Sequence, residues 1–400
     1  MKMKKADVFA RVLSCALAAA ALCSVAASAA ETYDSQLSSL GSGEQMYDYF
    51  SSLYSSAGSK WRAATWVQAQ NGKTVPAGYL KAKAFLYDAA GSLCKSTVMQ
   101  TNTTAANYLA VAAPGLTGAG EYYSRGEVGL YLNSEYTTVT ASTPADGETD
   151  VMKTLKTTLD QGGSYPVNTL GQTYGSLLLS HVVGYKPDLI AAIGTNKVKG
   201  YVRTDELDPY TATPDEAVAL AASAKDSVLP LYDLNGKVIG TFVQDVGVSS
   251  NSKEFAKETF DTARAQVSAG SYTTPAQTAK LPETEQELTA LAQSALTITP
   301  YSRNSKGQTY GSDSMAGAVG YSPELIAVMA TNGTSGYAKK TEFYFASQHA
   351  QQNPASRVIS VYDLDGKVVG EFKLEVGQSS NDPAFAGLSI DEAREKLAAG

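Results

Sequence analysis

The apolar positions of this chain fall mainly into short period-two runs, with a few helical stripes between them. Leu80, Ala82, Ala84 and Leu86 alternate with Tyr79, Lys81, Lys83 and Phe85, the pattern of a half-buried strand, and Val128, Leu130 and Leu132 alternate likewise. Met46, Phe50, Leu53 and Ala57, behind a Ser42–Gln45 capping box, are spaced as one face of a short amphipathic helix. Turn signals at Asn71-Gly72, Pro76-Ala77-Gly78 and residues 115–120 separate the strands. Residues 31–143 therefore predict an N-terminal all-β, sandwich-like module that opens on a helix.

The rest of the chain repeats itself. Gly171-Gln172-Thr173-Tyr174-Gly175 recurs as Gly307-Gln308-Thr309-Tyr310-Gly311, and residues 184–191 recur as 320–327, both 136 positions on. Gly200-Tyr201 matches Gly336-Tyr337. After a six-residue shift, residues 232–238 match 362–368, and Ser249-Ser250-Asn251 matches Ser379-Ser380-Asn381. The expected organisation is two duplicated small α+β units, 148–270 and 284–400, joined by a proline-bearing linker over 271–283. Each unit reads as a β core with a β-hairpin and helices at both ends. Met152, Leu155 and Leu159, like Leu288, Leu291 and Ala295, mark the opening helices. Pro187 and Pro323, each followed by an acid and Leu-Ile-Ala, predict short helices starting at proline. Asn235-Gly236 and Asp365-Gly366 predict type I′ hairpin turns. Ala256, Phe260, Ala263 and Val267, matched by Ala386, Ile390, Ala393 and Leu397, predict closing helices stopped at Gly270 and Gly400. A Ser389–Glu392 capping box starts the second of these.

Residues 1–30 have the three parts of a secretory signal peptide: basic Lys2, Lys4, Lys5 and Arg11, an apolar run to Ala26, and Ala27-Ser28-Ala29 for cleavage. Cys15 and Cys23 lack the context for lipidation. No later apolar run approaches the ~18 residues a membrane-spanning helix needs, so no membrane span is expected after cleavage. Removal of this segment takes four positive charges and one negative from a chain of 32 Lys+Arg and 39 Asp+Glu, which changes the net charge from −7 to −10. That balance argues against nucleic acid as a partner. It also leaves a single cysteine, Cys94, which cannot form an internal disulfide and reads as a small core residue.

The repeat is similar to segments of uncharacterised secreted proteins of Gram-positive bacteria, and it resembles the extracellular tail of some membrane metallopeptidase-like sensor proteins. The residues that carry the likeness are Gly-Gln-Thr-Tyr-Gly, Pro-Asp/Glu-Leu-Ile, Gly-Tyr and Tyr-Asp-Leu-Asn/Asp-Gly-Lys-Val, in both copies. Gly200-Tyr201-Val202 also resembles the last strand of a bacterial SH3-like barrel, from which the second copy departs at Ala338. These resemblances imply an extracellular location and modularity; the expected localisation is secreted or extracellular, with non-covalent association to the cell envelope. They bring no catalytic residues with them.

The chain has only 2 histidines, and the phosphate-loop, dinucleotide, metalloprotease and nucleophile-elbow motifs do not occur, so neither a cofactor nor a metal is expected. His181 and His349 fall outside the repeated pattern. Ser92-Leu93-Cys94-Lys95 matches a Ser-x-x-Lys pattern without its companion motifs and reads as part of a strand. The Asp363–Gly366 run reads as a turn rather than a calcium loop, because the further ligand positions fall on Val361 and Phe372. Asp188/Glu324, Glu206/Glu342 and Asp233/Asp363 align as carboxylates that a glycan hydrolase could use. With 24 tyrosines, the recurrent pairs Tyr174/Tyr310, Tyr185/Tyr321, Tyr201/Tyr337 and Tyr232/Tyr362 are the candidate binding residues, as a stacking surface or as half-buried β positions. The leading expectation is a secreted, non-catalytic cell-envelope protein whose tandem repeats bind cell-wall glycan, host glycan or an extracellular protein. An extracellular carboxylate-dependent glycan hydrolase and an exported sensor or inhibitor domain are the alternatives.

Overall fold

The computed structural model describes residues 31–400 except 43–44, 57–59, 144–149, 161–162, 208, 256, 274, 296–299, 345–355, 376–387, 390–391, 393–394 and 397–400. The protein is β-rich, and the strands of the described residues form three sheets. The N-terminal part contributes β1 (Glu31–Asp34), β2 (Ser38–Ser42), β3 (Gln45–Ser56), β4 (Lys60–Ala69), β5 (Leu80–Asp88), β6 (Leu93–Thr97), β7 (Gln100–Thr101), β8 (Tyr108–Ala112), β9 (Leu116–Thr117), β10 (Tyr122–Leu132) and β11 (Glu135–Ser142). One sheet runs β1-β3-β4-β8 and the other runs β11-β10-β5-β6. They share a core in which Tyr47, Val67 and Leu109 cluster with Leu80, Ala82, Val128 and Leu130.

Met46, Phe50 and Leu53, expected on a helix, lie instead on the strand β3, and Ala57 lies outside the described residues. The true period of β3 is two. Tyr47 and Tyr49 belong to the inter-sheet core, while Phe50 and Tyr54 belong to a second cluster on the opposite face. Both faces are apolar, so every third or fourth position is apolar by coincidence and imitates a helical stripe. The second face is covered by a helix from much later in the chain, α4 (Phe260–Ala269). Phe260 meets Trp66 at 5.4 Å, Tyr108 at 5.7 Å and Phe50 at 6.2 Å between ring centroids. The strand β17 (Val248–Ser249) extends the same sheet at β8.

The strand β5 is likewise more buried than its alternation predicts. Lys83 has no exposed surface. Its Nζ donates to Leu207 O at 3.2 Å, and Lys81 Nζ donates to Thr211 Oγ1 at 2.5 Å. The polar face of β5 is therefore covered by the following unit, and its lysines exchange water for carbonyl and hydroxyl partners.

The first unit contains α1 (Asp150–Lys156), β12 (Tyr174–Gly175), α2 (Ser180–Val183), β13 (Leu189–Ile193), β14 (Lys199–Arg203), α3 (Pro214–Ala222), β15 (Ser227–Tyr232) and β16 (Val238–Asp245). The second contains α5 (Glu285–Ala295), β18 (Ser302–Arg303), β19 (Thr309–Gly311), α6 (Ala316–Val319), β20 (Leu325–Met329), β21 (Ser335–Lys339), β22 (Arg357–Tyr362) and β23 (Val368–Leu374). Corresponding strands pair in corresponding register. Tyr174 faces Leu189 as Tyr310 faces Leu325, Tyr201 faces Tyr232 as Tyr337 faces Tyr362, and Ser227 faces Gln244 as Arg357 faces Leu374.

Two local expectations are corrected. The segments after Pro187 and Pro323 are the strands β13 and β20, and the short helices precede them as α2 and α6. Gly184 (φ 92°) and Gly320 (φ 88°) end those helices in the left-handed region, and the proline then starts an extended segment. The hairpins form, but not with type I′ turns. Within each turn pair only the glycine, Gly236 or Gly366, is left-handed. Asp233 Oδ1 accepts from the amides of Asn235 and Lys237, both at 2.9 Å, which favours a type I turn ending in a left-handed glycine. Asp363 does the same for Asp365 and Lys367.

The first unit is fused to the N-terminal part. The strand β6 lies along both β16 (Ser96 opposite Gln244) and β13 (Leu93 opposite Ala192). Phe85, Tyr87 and Leu93 then share one core with Leu155, Leu177, Ile190, Leu231 and Phe242. Where the units differ in surroundings they differ in sequence: buried Leu177-Leu178-Leu179 corresponds to Asp313-Ser314-Met315, which is not buried. Of the closing helices, α4 is capped by Thr259 and ended by Gly270. Ala386, Ile390, Ala393, Leu397 and Gly400 lie outside the described residues, as do Ala256 and residues 1–30. Ser389 and Glu392 exchange the hydrogen bonds of the expected capping box. Among the described residues no helix is long and apolar enough to cross a membrane.

Candidate functional site

The eight recurrent tyrosines do not form one surface. Within each unit Tyr174 packs edge-on against Tyr201 at 5.7 Å, and Tyr310 against Tyr337 at 5.4 Å. Tyr321 packs on Tyr301 at 5.5 Å. Tyr232 donates to Glu206 Oε1 at 2.9 Å and Tyr362 to Glu342 Oε1 at 3.0 Å. Tyr185 stands where the units meet, between Tyr165 at 5.7 Å and Tyr344 of the second unit at 5.5 Å. Burial pushes its phenol up to about 12.

The aligned carboxylates are more informative. Asp188 and Glu324 open β13 and β20. Asp188 Oδ2 accepts from Thr173 N at 2.9 Å and Oγ1 at 2.6 Å, and Glu324 Oε2 accepts from Thr309 N at 2.7 Å and Oγ1 at 3.2 Å. Each acid thus ties the Gly-Gln-Thr-Tyr-Gly segment to the next strand. Each also meets a cation from the other unit. Lys340 Nζ pairs with Asp188 Oδ1 at 2.5 Å, and Arg203 Nη2 lies 4.0 Å from Glu324 Oε2. The exchange runs in both directions, although the two cations stand one position apart in the repeat alignment.

Arg203 is the hub. Its Nε lies 3.3 Å from Asp205 Oδ1 and 3.6 Å from Glu206 Oε1, and its Nη2 donates to Gly307 O at 3.3 Å. Arg303 of the second unit pairs with Asp205. Burial opposes the charged form of Arg203, but Asp205, Glu324 and Glu206 outweigh it and raise its pKa. Burial pushes Glu206 up to about 8, against the pull of Arg203. Burial, reinforced by Asp188, pushes Glu324 up to about 8. Asp188, Arg203, Asp205, Thr309, Glu324 and Lys340 line a small crevice here with room for about one water molecule.

Chemically, Glu206 and Glu324 have the proton affinity of general acids. Both are buried, however, and both lie within 4 Å of one guanidinium at a contact between units, so they act first as a lock. Glu342 stands apart, near Lys339 at 3.6 Å. Asp233 and Asp363 serve their hairpin turns. His181 Nδ1 bonds to Leu178 O at 2.8 Å, and burial lowers its pKa; His349 lies outside the described residues. Burial pushes the Cys94 thiol up to about 12. Among the described residues no group of three His, Cys, Asp or Glu is placed to hold a metal ion.

Sequence reasoning found three of the acids and missed their cations, Arg203, Arg303 and Lys340. Arg203 and Lys340 fall beside each other in the repeat alignment, at its positions 203/339 and 204/340. A cation in each copy next to an aligned acid was the available signal. No protein-family model, curated protein or solved structure matches the chain.

Proposed function

We propose that this chain is an exported, non-catalytic binding protein of a bacterial cell envelope, acting on wall glycan, host glycan or an extracellular protein. Residues 1–30 support export. The two units read as copies of one another, and duplication of a binding unit raises avidity where an active site gains little. The observation that most supports a non-catalytic role is the use of the aligned acids. Asp188, Glu206 and Glu324 are engaged by Lys340, Arg203 and threonine donors at a contact between units. A glycan hydrolase needs two carboxyl groups some 5–10 Å apart on either side of an open substrate site. The raised Glu206 and Glu324 favour that second reading only if the contact opens to admit a sugar.

Sedimentation tests the binding reading. The chain from residue 31 onward, incubated with purified peptidoglycan and with whole cells in low and moderate salt, is expected in at least one pellet. Its absence from both pellets at both salt concentrations overturns wall and cell-surface binding.

A further inference from the structure

The β15–β16 and β22–β23 hairpins correspond, and the chain itself shows what covers the first one. The helix α5 belongs to the second unit in sequence but packs on β15 and β16 of the first. Its Leu288 and Ala292 share the lining of one cleft with Tyr232, Lys237 and Val238 of that hairpin, and Glu285 of its first turn lines the same cleft. Val238, which lines that cleft, is half-buried, as is Val228.

The second hairpin keeps the same elements. Tyr362, Lys367 and Val368 occupy the positions of Tyr232, Lys237 and Val238, and Val358 that of Val228. Yet Val358 is 58% and Val368 54% exposed. Val368 stands in water beside exposed Lys367 and Val358 stands in water further along the same hairpin, opposite Lys373, where the first unit carries an amphipathic, acidic helix.

We propose that the β22–β23 hairpin is a docking site for an amphipathic helix of another protein, with an acidic first turn and aliphatic residues at i and i+4, as in Glu285, Leu288 and Ala292. An apolar stripe running along the helix would cover Val368 beside the turn and, about two turns further on, Val358, and the acidic end would meet Lys367, in the helix-on-groove manner of peptide recognition. The first unit supplies the occupant's chemistry, because its matching hairpin is covered by such a helix. The site is separate from the inter-unit charge cluster and does not depend on glycan binding, so failure of the sedimentation experiment leaves it standing.

The test uses a labelled peptide of residues 282–295 and the chain from residue 31 onward. Expected are saturable anisotropy changes and slowed amide exchange over Val358–Leu374. The L288D peptide, and the chain variant V368D at its exposed position, should each bind roughly tenfold more weakly or worse. V368D should keep the parent's unfolding midpoint, which separates lost binding from lost folding. The proposal is overturned by no saturable binding at millimolar peptide. It is equally overturned by binding indifferent to both substitutions, or by protection appearing on β15–β16 in place of β22–β23.

Discussion

Glu206 makes the fold sensitive to pH in a direction opposite to that of most acids. Its Oε1 accepts from Tyr232, its Oε2 is buried without a hydrogen-bond partner, and Arg203 stands 3.6 Å away. Burial outweighs the arginine, and the carboxyl titrates near about 8 against 4.5 for a free glutamate. The folded chain then holds a proton that the unfolded chain releases. Stability from this group is full below about pH 4.5 and is lost as the pH rises through 8. At about 1.4 kcal/mol for each pKa unit, the loss amounts to a few kcal/mol, with a ceiling of about 4–5. Glu206→Gln retains the shape and the acceptor for Tyr232 but cannot titrate. Urea unfolding followed by tryptophan fluorescence at pH 5, 6, 7 and 8 should show the variant gaining on the parent by that amount across the series. Glu324 titrates in the same window, so the single variant keeps a reduced slope and Glu206→Gln/Glu324→Gln flattens it further. Parallel pH profiles for parent and single variant would refute a neutral, buried Glu206.

Leu93 is fully buried among Ile190, Ala192, Leu231 and Phe242, so Leu93→Ala should cost about 2–5 kcal/mol. Because that core joins the N-terminal part to the first unit, calorimetry should show their unfolding lowered together. Cys94 should resist iodoacetamide at pH 8 in the native protein and react promptly in urea, since burial pushes its thiol up to about 12; equal rates would contradict this. Gly236→Ala forces a side chain onto φ 80° and within 3.1 Å of Leu170 Cδ1, and should lower the unfolding free energy by about 1–2 kcal/mol. An unchanged urea midpoint would show that this turn relaxes freely.

The hairpins, the opening helices and the closing helix of the first unit were legible in the chain because each depends on local signals: glycine placement, capping threonines and period-four stripes. The misread elements depend on distant ones. Gln45–Ser56 imitates a helix because α4, more than two hundred residues on, makes its second face apolar. Lys81 and Lys83 read as solvent-facing because nothing nearby in the sequence announces Leu207 O and Thr211 Oγ1. The separation into modules had the same limit, since a repeat shows where a unit recurs but not that β6 is shared across its boundary. At the candidate site the alignment of the repeats marked Asp188 and Glu324. It could not show that Lys340 and Arg203 cross between units to meet them.

The sharpest division between a binder and a hydrolase comes from one sample read twice. Purified peptidoglycan incubated with the chain from residue 31 onward is sedimented, and the pellet is assayed for protein while the supernatant is assayed for released saccharide fragments. Retention without release, unchanged in Glu206→Gln, is the result expected when the inter-unit carboxylates hold the fold. Release of fragments that Glu206→Gln abolishes would contradict it.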